Sequence, residues 1–226
     1  MNITNELFKM QDLEYRAFHA KLMPTIDIDT IIGVRIPALR KFAKNISKTD
    51  EAKIFLQQLP HKYYEENNLH AFLLEQEKDY NNLIQQTESF LPFIDNWATC
   101  DSFLPKAFKN NADKLITKIY EWLKSNKPYT IRYAIGLLMS LYLDDEFKKE
   151  YADTVASIQS KEYYVNMMIA WYFATALAKQ YDVILPYITE KRLGAWVHNK
   201  TIQKATESKR ISPAVKQLLK EYNIKE

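Results

Sequence analysis

Apolar residues recur three and four positions apart along almost the whole chain. LFKMQDLEYRAFHAKLM, AKIFLQQL, NLHAFLLEQEKDYNNLI, KLITKIYEWLK, IRYAIGLLMSLYL, YYVNMMIAWYFATALAKQY and AVKQLLKEY all fit a 3.6-residue period, and no convincing alternating run appears. Each segment therefore carries one apolar face that must be buried against a neighbour, which predicts a chain built of amphipathic helices. The glycines point the same way, because Gly33, Gly136 and Gly194 are the only three in 226 residues. That is too few for the tight turns of a hairpin-rich β protein, and it leaves no glycine-rich loop to cradle phosphate. With 47% hydrophobic residues the chain has ample material for a core, which excludes disorder.

Helix boundaries are expected at Pro24, Pro37, Pro60, Pro105, Pro128, Pro186 and Pro213, with caps at Asp50, Asp144 and Ser212. This punctuation predicts about a dozen helices of about 8 to 20 residues joined by short connections. One amphipathic helix, over residues 3 to about 22, is expected ahead of Pro24. No Gly/Ser linker interrupts the chain, and helix pairs recur about every 35 to 45 residues, as in HEAT-type repeats. The expected fold is all-α: an α-α superhelix, or α-solenoid, of about six HEAT-like repeats with a concave face. It forms a single domain over 1–226, with an N-terminal helix in 1–24 and the repeats after it.

Several function classes fall away on composition. The single cysteine, Cys100, allows no internal disulfide and no Cys-based zinc site, and it suits a reducing compartment. Nothing approaches the roughly 18 uninterrupted apolar residues of a membrane span, and the opening MNITNELFKMQDLEYRAFHAK is amphipathic and acid-containing, unlike a signal peptide. A soluble cytoplasmic protein with no membrane partner is expected. His19, His61, His70 and His198 are scattered, with no i, i+4 His pair and no HExxH, so no metal site is expected. Cys100 has no neighbouring histidine, and the adjacent Asp101 opposes thiolate formation, which reads as a small core residue. A net charge of +3 is mild, so a polyanion would have to be held by a local patch.

The segment NWATCD places Trp97 and Asp101 one helical turn apart on a common face, separated by small residues. Spacing alone favours packing, since an acid near a helix start is stabilised by the macrodipole and a tryptophan at a helical apolar position is usually core. Arg132 in KPYTIRYAIGLLM and Trp171 in MMIAWYFATALAK fall on later repeats, where equivalent helices would line the same surface and bring all four residues together. Near the C-terminus, Lys200, Lys204, Lys209 and Arg210 lie among Asn199, Thr201 and Ser208. The group reads equally as a solvated face or as a contact to a DNA backbone.

Taken in order, GVRIPALRKFAK, WATCD, IRYAIGLL and IAWYFATALAK, followed by VHNKTIQKATESKRIS, resemble the DNA alkylation repair proteins, the HEAT-like-repeat alkylpurine DNA glycosylases of the AlkD type. The resemblance covers about residues 25–220. It implies that Asp101 is the catalytic carboxylate, that Trp97 and Trp171 are aromatic walls beside the lesion, and that Arg132 contacts phosphate or orients Asp101. It further implies hydrolysis of the N-glycosidic bond of cationic 3- or 7-alkylpurines in double-stranded DNA, without base flipping and without a cofactor. A monomer is expected. Two departures stand out: one helix is expected ahead of GVRIP where the family has two, and YFATALAK lacks an arginine in the turn after Trp171. The alternative is a weak or inactive HEAT-like scaffold that binds structured DNA or a protein partner.

Overall fold

In the computed structural model residues 1–225 are described, and among them the chain forms fifteen α-helices and two 3-10 turns with no strand. None of these helices is long and apolar enough to cross a membrane. The chain divides into two compact units, one over Met1–Leu115 and one from Ile116 onward. In both, helices stack against their sequence neighbours and next-but-one neighbours, as in α-solenoid repeats.

The first unit holds α1 (Ile3–Lys9), α2 (Leu13–Leu22), α3 (Ile36–Ile46), α4 (Asp50–Gln57), α5 (Tyr64–Leu74), α6 (Tyr80–Phe90), α7 (Trp97–Ser102) and α8 (Lys106–Lys109). The N-terminal segment expected as one helix is thus two. The break arises because the Asp12 carboxylate accepts the Tyr15 N–H at 2.8 Å and caps α2, while the Asp12 N–H donates to the Gly33 carbonyl at 2.9 Å. The departure noted ahead of GVRIP therefore disappears.

Gly33 explains why the loop after α2 comes so close. Its φ is +97°, and a Cβ there would stand 2.6 Å from the Asp12 carbonyl oxygen and 2.7 Å from the Arg16 Cβ. Gly33→Ala combines a disfavoured backbone with a clash against α2, and is expected to cost roughly 2 to 3 kcal/mol of unfolding free energy in a urea titration.

Helix α5 packs against α3, α4, α6 and α7 and is buried along its whole length, although it begins YEENNLH. Its two carboxylates are satisfied by main-chain donors. Glu65 accepts the N–H groups of Ile32, Gly33 and Val34 at 2.8, 2.7 and 3.1 Å. Glu66 accepts those of Lys62 and Tyr63 at 3.1 and 3.0 Å. Burial pushes the Glu65 carboxyl above the ordinary carboxylate range, and the three N–H donors pull against that.

His70, scattered from His61 in sequence, meets it in space: the His61 Nε2 lies 2.9 Å from the His70 Nδ1. Phe55 stacks on His61 at 4.3 Å and Phe90 on His70 at 4.1 Å. This desolvation lowers the two pKa values to about 4 and about 3. The unfolded rings take up protons near 6.5 while the folded rings resist, so the stabilisation is complete above that pH and is lost as pH falls towards 4. His61 alone is expected to remove about 2 kcal/mol between pH 7 and pH 5, read from urea melts. His61→Phe should remove that share of the dependence and leave the share due to His70.

The second unit holds most of α9 (Ala112–Trp122), within which one unit gives way to the next, then α10 (Pro128–Leu141), α11 (Lys149–Ser157), α12 (Tyr163–Lys179), α13 (Tyr181–Thr189), α14 (Ala195–Glu207) and α15 (Pro213–Glu221). Helix α12 is central, packing against α10, α11, α13 and α14. Pro128 and Pro213 open helices as expected, and Ser212 caps α15. Three expected boundaries move. Asp50 lies in the first turn of α4, capped by Thr49. Asp144 sits between α10 and α11, where it pairs with Lys179 at 2.7 Å instead of capping. Pro186 lies inside α13, held helical by burial of Ile184, Tyr187 and Ile188 on one face.

Candidate nucleic-acid interface

Trp97 and Asp101 are carried by α7 in the first unit. Six residues do not hold a helix alone in water, so this turn is imposed by its surroundings. At its start the Asn96 side chain accepts the Thr99 N–H at 2.8 Å and donates to the Thr99 hydroxyl at 3.0 Å. That hydroxyl in turn donates to Asn68 of α5 at 2.7 Å. At its end Arg40 of α3 donates to the Ser102 carbonyl at 2.9 Å and pairs with Glu75 at 2.5 Å, and Glu75 accepts the Leu104 N–H at 2.9 Å. Both ends of α7 are therefore anchored to the helices on which it packs.

The side chains between the pair answer the spacing. Ala98, Thr99 and Cys100 are buried, and their small size lets α7 lie close to α5. Trp97 is half-buried against Met23, Ile31, Tyr64 and Ala98, and its Nε1–H donates to the Leu22 carbonyl at 3.3 Å. Asp101 is exposed. The packing reading thus holds for the back of the indole, and the acid stands at the surface one turn on.

In the second unit, Trp171 of α12 is 45% exposed and lines a cavity of about 570 Å³ together with Met139, Thr175, Lys204, Ser208 and Arg210. The structure thus brings three of the sequence-derived residues, Trp171, Lys204 and Arg210, around one opening. Lys204 also pairs with Glu207 at 3.0 Å, which offsets part of its charge. Lys200 lies one turn before Lys204 on α14, with its ammonium 5.5 Å from the centre of the Trp196 ring. Lys209 is exposed in the turn after α14. Arg132 is 96% hidden from solvent by its 4% exposure, and its Nη1 donates to the Tyr164 carbonyl at 2.7 Å, bracing α10 to the start of α12.

Sequence reasoning overlooked Arg40, Glu75, Asn68 and Glu65, the residues that hold α7 and the loop before α3. Arg40 lies within GVRIPALRKFAK, so the segment was noticed but not its task. Glu65 and Asn68 could have been suspected from polar residues embedded in a helix flanked by long apolar runs. Among the described residues no group of three or more His, Cys, Asp or Glu side chains is arranged to hold a metal ion.

None of the curated proteins compared matches the chain in sequence. A protein-family model does, and its match takes in α1 and α2 as well as the later repeats. Matched over residues 3–221 by the model described as DNA alkylation repair enzyme, this all-helical chain belongs to that family.

Proposed function

We propose that the protein is a DNA glycosylase that hydrolyses the N-glycosidic bond of cationic 3- and 7-alkylpurines in duplex DNA. The observation that carries this reading is the exposed Asp101 carboxylate on a helix anchored at both ends, with the Trp97 indole one turn away. Alkylation at N3 or N7 gives the purine a positive charge and weakens its bond to the sugar. As that bond breaks, the base leaves with the electron pair as a neutral purine, and the sugar becomes oxocarbenium-like. A carboxylate beside it stabilises that cation and accepts a proton from the water that adds to C1′.

The indole of Trp97 one turn from the acid supplies a cation–π contact of roughly 0.5 to 2 kcal/mol, and in the second unit Trp171 offers DNA an exposed indole beside Lys204 and Arg210. Lys200, Lys204, Lys209 and Arg210 provide the backbone contacts that set affinity without reading sequence. In this reading the base need not be flipped into a closed pocket, because selectivity comes from the lesion's own charge and the lability of its bond. Arg132, hydrogen-bonded to a main-chain carbonyl, contributes by keeping α10 and α12 in register.

The test is incubation with methylated duplex DNA and with uracil-containing duplex, scoring free base and abasic sites. Release of 3-methyladenine and 7-methylguanine but not uracil is expected. Retardation of DNA with a steep salt slope and no abasic product would instead establish the non-catalytic scaffold.

A further inference from the structure

The second unit carries a row of aromatic rings across the N-terminal ends of α10, α12 and α14. Tyr129 packs on Tyr164 with ring centres 5.9 Å apart, Tyr164 on Tyr163 at 5.2 Å, and Tyr163 on Trp196 at 5.7 Å. The outer two are open to solvent, Tyr163 by 56% and Trp196 by 42%, and their planes meet at 66°. The Lys200 ammonium stands 5.5 Å from the Trp196 ring centre. Arg132, through the Tyr164 carbonyl, fixes the backbone on which the tyrosines sit.

We infer that Tyr163, Trp196 and Lys200 form a stacking site for an unpaired nucleobase of a DNA strand, with the ammonium on the adjoining phosphate. Three features argue for that occupant. Adjacent exposed rings with a lysine are the combination that holds single-stranded nucleic acid, since every base offers a π face and every linkage a negative charge. The charge is complementary, because α14 carries Lys200 and Lys204 against one acid, Glu207 at its far end. The patch also shares two helices with the cavity at Trp171: Tyr163 to Trp171 on α12 and Trp196 to Lys204 on α14 are each eight residues, about 12 Å of helix.

Inside an intact duplex the bases are stacked on one another, so a site of this kind engages a base at a strand end, a gap, a bulge, or opposite a damaged nucleotide. The inference rests on DNA as the partner in the proposed function, and it does not require chemistry at Asp101.

The experiment is a fluorescence anisotropy titration of the full chain with a labelled oligothymidylate and with a blunt duplex of equal length. Wild type is expected to bind the oligothymidylate, Trp196→Ala to weaken that binding about tenfold, and Trp196→Phe to restore most of the loss. Both substitutions are at an exposed position, and unchanged melting temperatures would show that the fold is kept. Asp101→Asn is expected to bind oligothymidylate as wild type does, so failure of the glycosylase reading leaves this result standing. The inference is overturned if wild type ignores the oligothymidylate or if Trp196→Ala binds it undiminished.

Discussion

Asp101→Asn is expected to slow release of 7-methylguanine from duplex DNA about a thousandfold while leaving the melting temperature within about 1 °C of wild type. The size follows from Coulomb's law. A unit negative charge about 4 Å from the developing sugar cation is worth about 4 kcal/mol at an effective dielectric near 20, the regime of a site covered by DNA, and about 1.4 kcal/mol is tenfold in rate. Asparagine keeps the shape and removes the charge. Stability is spared because Asp101 is exposed, asparagine keeps its shape, and the bonds of Asn96, Thr99 and the Ser102 carbonyl still anchor α7 in the variant. A rate loss with an unchanged fold therefore isolates the carboxylate, whereas a matching fall in melting temperature would mark it as structural.

Glu65→Ala is expected to have the opposite signature, a large loss of stability. Its carboxylate is fully buried and accepts three consecutive main-chain N–H groups, from Ile32, Gly33 and Val34. Removing it strands three buried donors, each costing about 1 to 3 kcal/mol, so about 4 kcal/mol overall is a conservative expectation. For a chain of this length that corresponds to a fall of about 10 °C in melting temperature. Glu65→Gln is expected to recover part of the loss, because its amide oxygen still accepts the Gly33 and Val34 N–H groups while its NH2 faces the Ile32 N–H, which needs an acceptor. The change reaches the site as well. Ile31 and Tyr64, on either side of this bond network, form part of the cluster against which Trp97 packs.

The helices were legible because burying one face of each segment demands a 3.6-residue period, and α9 and α15 follow it closely. The N-terminal break was missed because its cause is non-local: Asp12 caps α2 while the Gly33 loop closes against it, and the apolar period runs on across the junction. Pro186 misled because its ring was weighed without the buried face of α13 that holds the turn. At the site, the Trp97–Asp101 spacing was readable, since helical geometry alone puts both on one face. The partners that anchor that helix were not readable, because Arg40, Asn68 and Glu75 lie 29 to 62 residues from the residues they bond, Ser102, Thr99 and Leu104. Arg132 shows the same limit. A charged residue near a helix start looks like a surface contact until a main-chain carbonyl from another helix is found at 2.7 Å.

The central claim is that a surface carboxylate on an anchored helical turn speeds departure of a cationic base. It is tested most directly by single-turnover release from a duplex containing one 7-methylguanine, with saturating wild type or Asp101→Asn and with affinity for the same duplex measured in parallel. The account predicts release by wild type well above the spontaneous rate, release about a thousandfold slower by Asp101→Asn, and equal affinities. Wild-type release no faster than spontaneous loss, on DNA that is demonstrably bound, would contradict it.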